Sequence, residues 1–367
     1  MKHKKIPWWM PQVGDEEYKF IKKALDDNFV NEGPLAAEFE KKIAELAGAK
    51  YAVSATSGTA AIFLALKGLG IGPGDEVIIP DITFIATANA VALAGAKPVL
   101  VDVKPEDLTI DPEAVRKAVT PRTKAVIPVH VSGRGCDLEE LLKIAKERGF
   151  FVVEDAAEAL TSKYRGKHLG TFGETGCFSF AANKTVSCGQ GGMVVTSDEK
   201  IYSRLKELKD QGRPVRGTGG DDVHYSVGYN FKFTDLQAGF GLGQLSHLKT
   251  RIERMKRNYE LYEENLKNIK EVQILKTDVA GGETPQWTDA LIERRDELDA
   301  HLNKMGMDCR RYWFPIHRQI PYRLPDDNFP VSTKLSPRAL WLPSAFTLTD
   351  DDVLRVCDEI KKFFSSR

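Results

Sequence analysis

Short apolar runs recur along this chain, each followed by a stretch with helical spacing, and that alternation limits the fold more than any other feature. Strand-like runs stand at Val77-Ile78-Ile79, at residues 98–103, at 125–130 and at 150–153. Helical patterns fill the intervals, among them residues 86–93 and the stretch opened by Asp137-Leu138-Glu139-Glu140, where Leu138, Leu141, Leu142 and Ala145 line one face. A continuous apolar run such as Phe150-Phe151-Val152-Val153 suits a strand buried on both faces. The pattern therefore predicts an α/β fold, with a mostly parallel sheet covered by helices on both sides. Ahead of it, helices are expected over residues 16–26 and 35–47, separated by Asn31-Glu32-Gly33-Pro34. In the first of these, Tyr18, Ile21 and Leu25 would form the apolar face.

Three stretches carry chemistry. Phe178-Ser179-Phe180-Ala181-Ala182-Asn183-Lys184-Thr185-Val186-Ser187-Cys188-Gly189-Gln190-Gly191-Gly192-Met193 reads strand, polar turn, glycine loop, strand. Lys184, set among hydrogen-bonding side chains, could form a Schiff base with a carbonyl compound, or it could be a solvated surface lysine. Asp155 falls just past the apolar run 150–153, at the carboxyl end of a strand where α/β sheets bind ligands. A carboxylate there can pair with a protonated pyridine nitrogen, although Glu154-Asp155 could also cap a following helix. Ser57-Gly58-Thr59 opens an apolar helix, and the free N–H groups of a helix start make an anion site or an ordinary N-cap.

Taken together, Val153-Glu154-Asp155-Ala156-Ala157-Glu158-Ala159, Phe178-Ser179-Phe180, Asn183-Lys184-Thr185 and Gly189-Gln190-Gly191-Gly192-Met193 resemble the DegT/DnrJ/EryC1/StrS family. The wording is nearest to that of the family's GDP-perosamine synthases, and the resemblance runs from Ile6-Pro7 to Phe364. It implies a fold-type I transferase dependent on pyridoxal 5′-phosphate (PLP), most members being sugar aminotransferases. Lys184 would link the cofactor and Asp155 would hold its ring nitrogen protonated. Gly58, Thr59 and Ser179 would bind the phosphate, Phe84 would stack on the ring, and Glu158 would lie beside it. Asn230, in Gly228-Tyr229-Asn230-Phe231, would reach the phosphate bound to a neighbouring subunit of a homodimer with shared sites. His130, His317 and Asn31 are substrate-side candidates, either histidine being as well suited to a structural role. The family's sugar 3-dehydratases carry histidine where Lys184 stands.

The implied reaction takes an amino group from an amino acid, L-glutamate by resemblance, stores it as pyridoxamine phosphate, and delivers it to a keto sugar. The acceptor would be a nucleotide-linked 4-keto-6-deoxy hexose. A keto-cyclitol or free keto-sugar acid is the alternative acceptor, and a PLP-binding homologue without turnover the alternative role. Ala181-Ala182, Gln190 and Val131-Ser132-Gly133-Arg134 depart from the family's usual wording, and Pro285-Gln286-Trp287 matches no pattern.

Lys plus Arg and Asp plus Glu are equal at 52 each, which gives no charge excess for nucleic acid or an anionic membrane. Five scattered cysteines without a C-x-x-C pair argue against a metal site and suit a reducing cytoplasm. No apolar segment follows the basic start, so neither a signal peptide nor a membrane span is expected. The 367 residues divide by expectation into a cofactor-binding domain, 12–245, and a small α/β domain, 246–367, with residues 1–11 packed nearby. Residues 211–227, polar and glycine-rich, read as a loop.

Overall fold

The computed structural model describes residues 4–214 and 222–365. Seven strands form the main sheet: β1 (Tyr51–Ala55), β2 (Glu76–Pro80), β3 (Lys97–Val101), β4 (Thr123–Val126), β5 (Phe151–Asp155), β6 (Thr175–Ser179) and β7 (Gly192–Thr196). Their order is β1-β7-β6-β5-β4-β2-β3. Only β7 runs against its neighbours, pairing antiparallel with β1 and β6, while the other pairs are parallel. The expected α/β architecture is present, and β5 shows why. Val153 joins the core formed with Ile62, Phe63 and Leu66 of the helix Gly58–Gly68. Val152 joins Leu141 and Ile144 of the helix Leu138–Arg148 on the opposite face. That second helix starts on the Asp137 side chain and stops at Gly149, whose φ of 73° suits a residue without Cβ.

A second, antiparallel sheet follows: β8 (Val272–Ile274), β9 (Asp289–Ile292), β10 (Arg310–Arg311) and β11 (Ala339–Trp341), in the order β8-β9-β11-β10. Helices Leu248–Leu266, Arg295–Lys304 and Asp350–Ser365 close a core on this sheet. The N-terminal segment adds Ile6 to that core, bridged to Met307. The loop expected over 211–227 lies partly outside the described residues. Among the described residues, no helix is long and apolar enough to cross a membrane.

One expectation is corrected. The helix Asp15–Asp26 does not bury Tyr18 and Leu25, which are 67% and 53% exposed. It buries Glu17 and Ala24 instead, against the helix Asp235–Leu245. Glu17 is satisfied there: it accepts from the Gly14 N–H at 2.7 Å and from Gln244 Nε2 at 2.6 Å. The contact requires glycine, since a Cβ at Gly243 would lie 2.6 Å from the Glu17 nitrogen.

Candidate active site

Between β6 and β7 the chain leaves the sheet as a loop pinched at its neck. The Phe180 N–H donates to the Gly191 carbonyl at 2.9 Å, and the Cys188 N–H to the Phe180 carbonyl at 2.8 Å. Phe180, Val186 and Cys188 anchor the loop in the core, and Asn183 and Lys184 line a cavity of about 320 Å³. Gly192 brings the loop's end against the start of the helix Gly58–Gly68; a Cβ there would lie 2.1 Å from the Ser57 carbonyl oxygen. Lys184 Nζ donates to Glu158 Oε1 at 3.1 Å and sits 4.9 Å from the centre of a Trp287 ring.

Strand alternation divides the adjacent carboxylates at the end of β5. Glu154 is fully buried behind the sheet, where it accepts from His130 Nε2 and from the N–H groups of Gly170, Phe172 and Gly173 at 2.6 to 3.0 Å. Asp155 faces the cavity. It accepts from Thr87 Oγ1 at 2.8 Å and from the Ala157 N–H at 3.2 Å. Burial raises the Asp155 carboxyl above its ordinary 3.8, against the Thr87 bond. Burial likewise raises Glu158, against the attraction of Lys184. The Ser132 N–H fixes the other Glu158 oxygen at 2.8 Å.

Across the cavity, Ser57 caps the helix Gly58–Gly68 by accepting from the Ala60 N–H. The first N–H groups, on Gly58 and Thr59, have no acceptor within the helix and point outward with the positive dipole end. Gly58 leaves space that a Cβ would fill, 2.9 Å from the Ser179 Cβ and 3.1 Å from its hydroxyl. A helix start, a hydroxyl, a lysine amine and a buried carboxylate thus surround one space. That donor set fits a phosphorylated aldehyde on a pyridine ring, with anion, carbonyl and ring nitrogen each met by a suitable group.

Comparison with known proteins agrees. The model of the DegT/DnrJ/EryC1/StrS aminotransferase family matches residues 11–361. The chain belongs to this family. It is a PLP-dependent aminotransferase with the fold-type I architecture. A GDP-perosamine synthase of Escherichia coli O157:H7 is 36% identical over 99% of this chain and 100% of its own length. The crystal structure of S. venezuelae DesV in complex with a ketimine intermediate is 34% identical, with a TM-score of 0.89, covering 95% of this chain and 94% of that one. DesI, solved in the presence of its TDP-sugar product, is 33% identical with a TM-score of 0.88, covering 96% of this chain and 91% of that one.

In this aminotransferase the cavity gathers seven residues singled out from sequence: Gly58, Thr59, Phe84, Asp155, Glu158, Ser179 and Lys184. Four others lie off its wall. His130 and His317 are corrections to the substrate-side assignment, because both are fully buried. His130 bonds Glu154, while His317 is stacked on Phe329 and held by Asp81 at 2.6 Å and Asp326 at 3.1 Å. Asn31 is exposed and accepts from the Glu32 N–H. Asn230 is exposed beside Asp210. Sequence reading missed Trp287 and Arg310, both on the cavity wall and both from the second half of the chain, where Trp313, from the run 312–317 that resembles the family's substrate-side loop, also lies. Trp287 ends the unassigned Pro285-Gln286-Trp287 run, and Ala181 and Gln190, two of the departures from family wording, are also on the wall.

Proposed function

We propose that the enzyme moves an amino group from an amino acid, L-glutamate, to the carbonyl carbon of a nucleotide-linked keto sugar, a 4-keto-6-deoxy hexose. The observation that carries this reading is the convergence of Lys184, Asp155 and the Gly58 helix start on one cavity, in a chain that matches a GDP-perosamine synthase end to end. Lys184 Nζ would hold the cofactor covalently and, once released, carry a proton between substrate carbon and cofactor carbon. Glu158 keeps that amine on the cavity side. Asp155 would hold the proton of the ring nitrogen, the Gly58 and Thr59 N–H groups with Ser179 Oγ the phosphate, and Phe84 would cover the ring. When bound, PLP supplies the electron sink for the pair left as the substrate carbon loses its proton.

The working form is read as a homodimer. Tyr18, Leu25, Phe29 and Val30 are exposed along and just after one helix, an apolar surface that suits a covering partner. Asn230 would then serve the partner's phosphate, and Asn31 would border the sugar. Residues 12–245 act as the cofactor-binding domain and 246–367 as the smaller one. Five free thiols, four of them buried, suit a cytoplasmic enzyme of polysaccharide synthesis.

The test is spectroscopic. L-Glutamate should bleach the absorbance band of the lysine-bound cofactor, and a nucleotide-linked 4-keto-6-deoxy hexose should restore it and yield the amino sugar. Restoration by a keto-cyclitol or a free keto-sugar acid, but by no nucleotide sugar, would refute the acceptor.

A further inference from the structure

Behind Asp155 the hydrogen bonding continues through two more side chains. The turn after β2 carries Thr83, and the helix Ala86–Leu93 carries Thr87 in its first turn. Their hydroxyls lie 2.9 Å apart, and Thr87 Oγ1 lies 2.8 Å from Asp155 Oδ2. Both threonines are buried, although Thr83 also borders the cavity, as does Phe84 between them. The segment Thr83-Phe84-Ile85-Ala86-Thr87 thus sets an aromatic ring on the cavity wall and a hydroxyl on the carboxylate behind it.

Counting protons orders this chain. A hydroxyl has one proton to give, and an ionised carboxylate only accepts. With Asp155 ionised, Thr87 spends its proton on Oδ2, so at its contact with Thr83 it must accept and Thr83 must donate. Both bonds then have ordinary lengths. With the proton on Oδ2 the chain runs the other way, and Thr83 is left to donate to the Phe84 carbonyl at 3.4 Å, the longest of the three contacts. The arrangement is matched to the ionised form, in a place where burial opposes that form. Bonds in such a chain polarise and strengthen one another. We infer that Thr87, backed by Thr83, is a positioning residue that fixes the Asp155 carboxylate for the cofactor's ring nitrogen. This rests on the place of Asp155 beside that nitrogen, proposed above.

PLP labelled with 15N at the ring nitrogen, bound to each variant, reports by NMR whether that nitrogen carries a proton, independently of turnover. Thr87→Val keeps the shape of the side chain and drops the hydroxyl, and its ring signal should move from the protonated position of wild type toward that of a free pyridine. Thr87→Ser, which keeps the hydroxyl, should hold the wild-type signal. Thr83→Val, which removes only the outer link, should move it part of the way. In rapid mixing with L-glutamate, Thr87→Val should lose about tenfold in the saturated rate, the worth of one hydrogen bond to a charged group, with the half-saturating concentration changed by less than about twofold. A Thr87→Val protein that melts earlier yet holds the wild-type ring signal would overturn the inference and reduce the threonine to packing. So would a Thr87→Ser that behaves as Thr87→Val does, or, should Thr87→Val not fold, a Thr83→Val with an unshifted signal. A wild-type signal in Asp155→Asn would instead remove the Asp155 assignment on which the inference rests.

Discussion

Glu154 and Asp155 are neighbours in sequence and both buried, yet their amide variants should fail in opposite ways. In Glu154→Gln one of the two oxygens becomes an NH2 group. It then faces either the Phe172 and Gly173 N–H groups or the Gly170 N–H and His130 Nε2. Two buried donors are left unpaired, at roughly 1–3 kcal/mol each, or about 4 kcal/mol in all. With an unfolding entropy of about 2.1 cal/mol/K per residue over a chain of this length, that lowers Tm by about 5 °C. Activity per folded, cofactor-loaded molecule should stay near wild type, because Glu154 faces away from the cavity. Asp155→Asn loses at most one of two donors, and it relieves a buried charge whose pKa burial has raised.

The sign follows from that shift. A carboxyl with a raised folded pKa is protonated at low pH without penalty. It costs stability as pH climbs through its ordinary 3.8 and on through the higher folded value. Cofactor-free Asp155→Asn should therefore melt at or above wild type near neutrality, and the gap should close as pH falls toward 4. With PLP bound, the same variant should lose roughly 100-fold or more in kcat, since the ring proton is no longer held. Thermal unfolding of free and loaded protein, with kcat per bound cofactor, measures all of this. An Asp155→Asn that costs as much stability as Glu154→Gln, or a stable Glu154→Gln that is inactive, would refute the division of roles.

Gly58→Ala should weaken PLP binding at least tenfold while leaving Tm of the free protein within a few degrees, because the added methyl competes with phosphate for the cradle beside Ser179; equilibrium titration of the cofactor checks it. His317→Ala should destabilise by about 2–4 kcal/mol through loss of the Asp81 and Asp326 bonds, with KM for the sugar unchanged in the folded fraction; denaturant unfolding beside steady-state kinetics separates the two. Mixing Lys184→Ala with Asn230→Asp chains should restore roughly a quarter of wild-type activity if each site draws on both subunits, since half of randomly formed dimers then hold one intact site; no recovery after subunit exchange would refute the shared site.

The fold and half of the site were legible because their signals are local. Apolar runs fix the strands, and a strand end with a carboxylate, a turn with a lysine and a helix start with glycine each announce a donor group within a few residues. Trp287 and Arg310 carry no such signal. They reach the cavity only because the second sheet packs over the first, and nothing in Arg310-Arg311 says which of the pair turns inward. The face of the helix Asp15–Asp26 was misread for a related reason. Periodicity reports where apolar residues lie, not which chain covers them, and glycines at 239 and 243 let a helix backbone take the interior position instead. As residue types His130 and His317 suit a substrate pocket and a structural role equally, and the carboxylates that occupy them, Glu154 and Asp81, are not their neighbours in sequence.

Reduction of the PLP-loaded protein with borohydride, followed by peptide mapping, tests the covalent centre directly. A single cofactor label on Lys184, absent from Lys184→Ala, is expected; a label on another lysine, or none at all, would contradict the assignment of this amine as the reacting group.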